Sequence, residues 1–128
     1  MINVKRITEM SQKEDGIRIM VENTCPREIN LEKAEVDLWL KEIAPGPECY
    51  ECLNENVSGF TEFKKRYRNE LQGKKTLQKI IRDLEKENGT VTLLYCSHDE
   101  ENNCAVILKE KLEGYKIIRG SIGRVHGG

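Results

Sequence analysis

Five cysteines, at positions 25, 49, 52, 96 and 104, and a histidine at 98 are the residues here whose types and spacing suggest chemistry. Cys49-Tyr-Glu-Cys52 has the spacing of a zinc knuckle or of a redox pair. Structural zinc usually takes four ligands at about 2.3 Å from each sulfur, so that pair needs help from Cys25, Cys96, Cys104 or His98. Loops carrying those residues would have to converge. Cysteine also serves as a small buried hydrophobe, and inert thiols are the plainer expectation.

The run Val91-Thr-Leu-Leu-Tyr-Cys-Ser-His-Asp-Glu-Glu-Asn-Asn-Cys104 places Cys96, His98 and Cys104 on or beside one loop. These three are the candidate catalytic residues. A helix N-terminus favours the Cys104 thiolate, whereas Asp99, Glu100 and Glu101 just before it disfavour another negative charge. Cys104 also shares a four-residue spacing with Leu108 and Leu112, which suits a core position. His98 has no partner histidine nearby. The loop lacks glycine and carries three acids, so it does not read as a phosphate cradle.

These residues need a scaffold. Val91–Tyr95 is an apolar, β-rich run after Asn88-Gly89, the pattern of a buried strand, and Cys104–Leu112 follows as a helix. A loop between such a strand and helix lies at the carboxyl end of a strand, where open α/β sheets collect ligands. Ile2–Ile7 reads as a first strand. Ile17, Ile19 and Val21 alternate with polar or flexible residues as a half-exposed second one, pairing with the first across the 8–16 loop or lying parallel to it. Asn30 is placed to cap a turn over Leu31–Ala34; Val36, Leu38 and Leu40 alternate as a strand, the favoured reading, although Leu38, Trp39 and Ile43 also suit a helical face. Phe60, Phe63, Tyr67 and Leu71 mark a helix with Ser58 or Thr61 as its cap; Leu77, Ile80, Ile81 and Leu84 mark another. Tyr115, Ile117 and Ile118 suggest a last short strand. The expectation is one domain over 1–118 and a flexible glycine-rich tail over 119–128.

Composition narrows the function classes. A chain of 128 residues with net charge −1 has no overall attraction for nucleic acid or anionic membrane. Lys64-Lys-Arg-Tyr-Arg68 fans around its helix between Glu62 and Glu70 and reads as a solvated, ion-paired face. No apolar run suggests a membrane span, and the first residues lack a signal-peptide pattern. The expected place is the cytoplasm, with reduced thiols and no disulfide framework.

Asp15-Gly-Ile-Arg18, Cys25-Pro-Arg27, Asp37-Leu-Trp-Leu-Lys-Glu-Ile-Ala-Pro45 and Val91–Glu110 are similar to segments of one known family. With the helix at 62–68, they resemble the YeaO-like branch of domain-of-unknown-function family 488. The resemblance covers roughly residues 2–113 and implies a compact α/β fold, but no established reaction. The family's Asp-Arg-Leu-Trp-Pro-Arg-Gly stands here as Glu22-Asn-Thr-Cys-Pro-Arg-Glu28. Its Trp-Phe-Gly-His-Asp stands as Cys52-Leu-Asn-Glu-Asn56, and its His-Asn-His-Ala as Asn102-Asn-Cys-Ala105. Three of the replacements are cysteine. Arg27 is kept and is the candidate anion-binding residue.

The chain is accordingly expected to be a single α/β domain, with a small, partly parallel sheet and helices packed on it. Three functions fit: a small-molecule or anion-binding protein or divergent enzyme with its pocket near Arg27, Cys96, His98 and Cys104; a redox or metal protein built on Cys49, Cys52 and Cys25; or an interaction module, homodimer included, presenting the helices of 60–87. The sequence leaves any cofactor unknown.

Overall fold

Every residue of strand β4, Val91–Tyr95, is buried, and the sheet is built outward from it. A computed structural model of the chain describes residues 1–54 and 59–114. β4 pairs in parallel with β1, Ile2–Arg6, on one side and with β2, Ile17–Met20, on the other. A two-residue strand β3, Leu38–Trp39, continues the parallel sheet beyond β2, giving the order β1-β4-β2-β3. The chain is thus a single α/β domain whose four-stranded sheet is wholly parallel. β1 and β2 are not neighbours, because β4 lies between them. The 7–16 link, up to about 33 Å when extended, is long enough to return along one strand and cross two strand spacings. The β-rich run, apolar but for Thr92, whose buried hydroxyl donates to the Asp15 carbonyl at 2.7 Å, takes an interior position that excludes most water.

Both faces of the sheet are covered. On one, Ile19, Val21, Val91, Leu93 and Tyr95 share a core with four helices. Helix α2, Gly59–Gln72, contributes Phe63, Tyr67 and Leu71 at a four-residue spacing; α3, Lys75–Asn88, contributes Ile81. Helix α4, residues 104–114, contributes Ala105, Leu108 and Leu112. A short helix α1, Pro47–Glu51, brings in Cys49 beside them. Gly89, at φ 84°, ends α3 where the sequence places the stop.

On the opposite face Ile7, Met20 and Leu94 are sealed by Ile29, Leu31, Ala34 and Val36 from the coil after β2 and by Trp39 of β3. β2 is therefore not half-exposed: Arg18 is 2% exposed and Met20 is fully buried. The buried Arg18 guanidinium donates to Asp15 Oδ2 at 2.6 Å and to the Ala34 carbonyl at 2.9 Å. Lys5 Nζ meets the same carboxylate at 3.0 Å. A buried charge persists only where it is answered in this way. Asn30 caps its turn as expected, its Oδ1 accepting the Glu32 and Lys33 amides at 2.9 and 3.0 Å.

α2 starts at Gly59, so Thr61 lies inside the helix rather than capping it, and Ser58 lies outside the described residues. The strand expected at 115–118 and the tail at 119–128 lie outside them as well. No described helix is long and apolar enough to cross a membrane.

Candidate functional site

Glu22 follows β2 at the carboxyl end of the parallel sheet, the end at which such sheets bind ligands. Its carboxylate is already engaged. Oε1 accepts the Tyr50 hydroxyl at 2.8 Å, and Oε2 accepts the Cys96 amide at 3.0 Å. The Glu22 carbonyl accepts the Trp39 indole N–H at 2.6 Å, which fixes the backbone as well. Around this carboxylate lies a crevice of only about 50 Å³, walled by Tyr50, Phe63, Ser97, Asn103 and Cys104 among others. Burial holds the Tyr50 phenol protonated, and the negative charge expected at Glu22 acts in the same direction.

The loop beyond β4 is held by backbone contacts. Arg6 donates to the Ser97 carbonyl at 3.0 Å and to the His98 carbonyl at 2.6 Å. Asp99 Oδ1 accepts the Glu101 and Asn102 amides, which holds its carboxyl below the usual aspartate range. The helix itself is capped by Asn103, whose Oδ1 accepts the Val106 amide at 3.0 Å while its Nδ2 donates to the Asp99 carbonyl. Replacing this buried Asn103 with alanine is expected to cost about 1–2 kcal/mol, seen as a lower urea midpoint and faster amide exchange in the first turn of α4.

None of the five thiols is in a disulfide. Cys104 is buried under α4, its Sγ 3.9 Å from the Val21 carbonyl; burial, reinforced by Glu22, pushes its thiol well up. Burial and Glu22 likewise push the half-buried Cys96 up to about 12. Cys49 donates to Glu70 Oε2 at 2.8 Å, and burial together with that carboxylate raises it to about 12. Cys25 is raised by burial and by Glu28. Cys52 is buried, its Sγ 3.7 Å from the Glu48 carbonyl. A nucleophilic or metal-binding thiol needs the opposite, a stabilised thiolate.

The sheet keeps two sets of cysteines apart. Cys49, Cys52 and Cys104 belong to the helical core, whereas Cys25 and Cys96 pack against the other face. Among the described residues no group of three or more His, Cys, Asp or Glu side chains is placed to hold a metal ion. His98 is exposed, and its backbone carbonyl accepts from Arg6. Arg27 is exposed on the coil after β2 and does not line the crevice. What converges instead is Glu22, Tyr50, Cys104 and the Cys96 amide. Sequence reasoning singled out neither Glu22 nor Tyr50. For Glu22 a signal was present: a carboxylate two residues past a strand, where the resembled family carries aspartate.

Lys64, Arg66 and Arg68 of the basic run of α2 are ion-paired. Arg66 meets Glu62 at 3.3 Å, and Lys64 and Arg68 both reach Glu110 on α4 at 3.1 Å.

Comparison with known proteins follows the same outline. The profile of a family described as "Inactive DUF488-N3 subclade" matches residues 1–117. The uncharacterized protein YeaO of Escherichia coli K12 is 31% identical over 111 residues, which cover 87% of this chain and 96% of that protein. The uncharacterized protein Rv3073c of Mycobacterium tuberculosis H37Rv is 29% identical over 115 residues, covering 88% of this chain and 94% of the relative. No solved structure matches the chain.

Proposed function

This chain belongs to the inactive DUF488-N3 subclade, and from that premise we propose that it is a non-catalytic α/β protein that acts by binding. One observation carries the reading: the carboxylate at the carboxyl end of the sheet is consumed by the protein's own Tyr50 hydroxyl and Cys96 amide. A general base must reach a substrate proton, and each oxygen of this one already accepts a hydrogen bond from the protein itself. The adjoining crevice, about 50 Å³, has room for little more than one or two waters. Small-molecule sites are several times larger, from about 300 Å³ upward. The thiols that flank it are held protonated.

Iodoacetamide alkylation of the native protein, followed residue by residue by mass spectrometry between pH 6 and pH 10, tests this. All five thiols are expected to react more slowly than free cysteine at pH 7. A single thiol whose reactivity has its midpoint below about pH 7 would overturn the reading in favour of thiol chemistry. If that thiol were Cys49 or Cys52, a redox pair would be the better account.

A further inference from the structure

A second cavity lies away from the sheet end. Helices α2, α3 and α4 enclose a cleft of about 370 Å³, lined by Arg68, Gln72, Lys75, Arg82, Glu110 and Lys111 among others. Four of these side chains are cationic and one is anionic, although the whole chain carries a net charge of −1. The anionic one is answered, because Glu110 Oε2 already accepts from Lys64 and Arg68, each at 3.1 Å. Lys75 and Lys111 have no ion pair among the described residues. Beneath them Gln78 forms a rigid part of the wall, its amide nitrogen donating to the Leu71 carbonyl at 2.6 Å and to the Lys74 carbonyl at 3.3 Å.

We propose that this cleft between α2, α3 and α4 is a binding site for a small phosphate-bearing anion, held chiefly by Lys75 and Lys111. The inference rests on the reading of the chain as a binding protein. The volume suits a small molecule rather than a polymer. Lysine and arginine donors converging on one recess satisfy the several oxygens of a phosphoryl group, which a lone surface lysine does not. An extended nucleic acid would instead follow a basic stripe, and here four cations line one recess.

Isothermal titration of the full chain with inorganic pyrophosphate tests the site, in parallel with the double variant Lys75→Glu, Lys111→Glu. The expected result is saturable one-site binding that weakens as salt is raised and falls by about tenfold or more in the variant. An unchanged urea midpoint would show that the variant still folds. Absence of saturable binding to the wild type, or equal affinity in a folded variant, would overturn the proposal. So would tighter binding of a single-stranded oligonucleotide that the same variant abolishes, since that would make the surface a nucleic-acid footprint. Failure here leaves the thiol reactivities as they are, so the two readings fail separately.

Discussion

Replacing Asp15 with alanine is expected to destabilise the fold by about 3–5 kcal/mol, because it leaves the guanidinium of Arg18 buried with no counter-charge. Asp15 is 4% exposed and Arg18 2%, so little water can take the place of the lost partner. The carboxylate also accepts the Gln12 amide at 3.1 Å and the Lys5 ammonium at 3.0 Å. It therefore anchors the turn between β1 and β2 as well as the charge. Urea unfolding at pH 7 measures the cost, and a change below about 1 kcal/mol would show that the charge is answered elsewhere. Removing both charges with Asp15→Leu and Arg18→Met is expected to recover part of the loss, since no orphaned ion then remains. Recovery should be incomplete, because the Ala34 and Glu35 carbonyls lose their donor.

The same group sets an acid limit. Burial alone would raise the Asp15 carboxyl, but the Gln12 amide, Lys5 and Arg18 together hold it below its ordinary value of 3.8. A carboxylate depressed on folding stabilises fully above the unfolded value and loses that contribution as pH falls through the folded one. The gap between wild type and Asp15→Ala should thus be widest near neutrality and should close below about pH 4. A gap unchanged down to pH 2 would contradict the ion-pair account.

Gly16→Ala should cost a further distinct amount, roughly 2–5 kcal/mol, from backbone strain and overpacking at one position. Gly16 sits at φ 64° and ψ −135°, a region that residues with a Cβ avoid. A Cβ built there would also collide with the carbonyl oxygen of Thr90. That carbonyl cannot yield, because it accepts the Ile17 amide at 3.2 Å where β2 meets β4. The expected variant expresses as insoluble or strongly destabilised protein. A soluble variant whose urea midpoint matches the wild type would mean that the turn relaxes without disturbing β4.

Much of the fold is written locally. Phe63, Tyr67 and Leu71 declare α2 by their spacing, Gly89 declares the end of α3, and Val91–Tyr95 declares a buried strand by composition. A helical face or an apolar strand is a property of neighbours in sequence, so a linear reading suffices. Similarity to the family also carries through to the α/β class and the matched span 1–117.

Long-range placement was decided elsewhere. Alternation along Ile17–Val21 suggested one wet face, and tertiary structure closed that face with the 29–36 coil and Trp39 of β3. Arg18 thereby became a buried ion, since burial depends on what arrives from outside the strand. Likewise β4 entered between β1 and β2, a choice that no turn residue between those strands specifies. At the sheet end, Glu22 finds its two partners 28 and 74 residues away. The residue types determined by themselves that this chain makes helices, a buried strand and many thiols. Only the packing decided that the sheet would separate those thiols, that burial would raise the pKa of Cys25, Cys49, Cys96 and Cys104, and that Glu22 would be engaged from within, because each of these follows from distances between groups far apart in the chain.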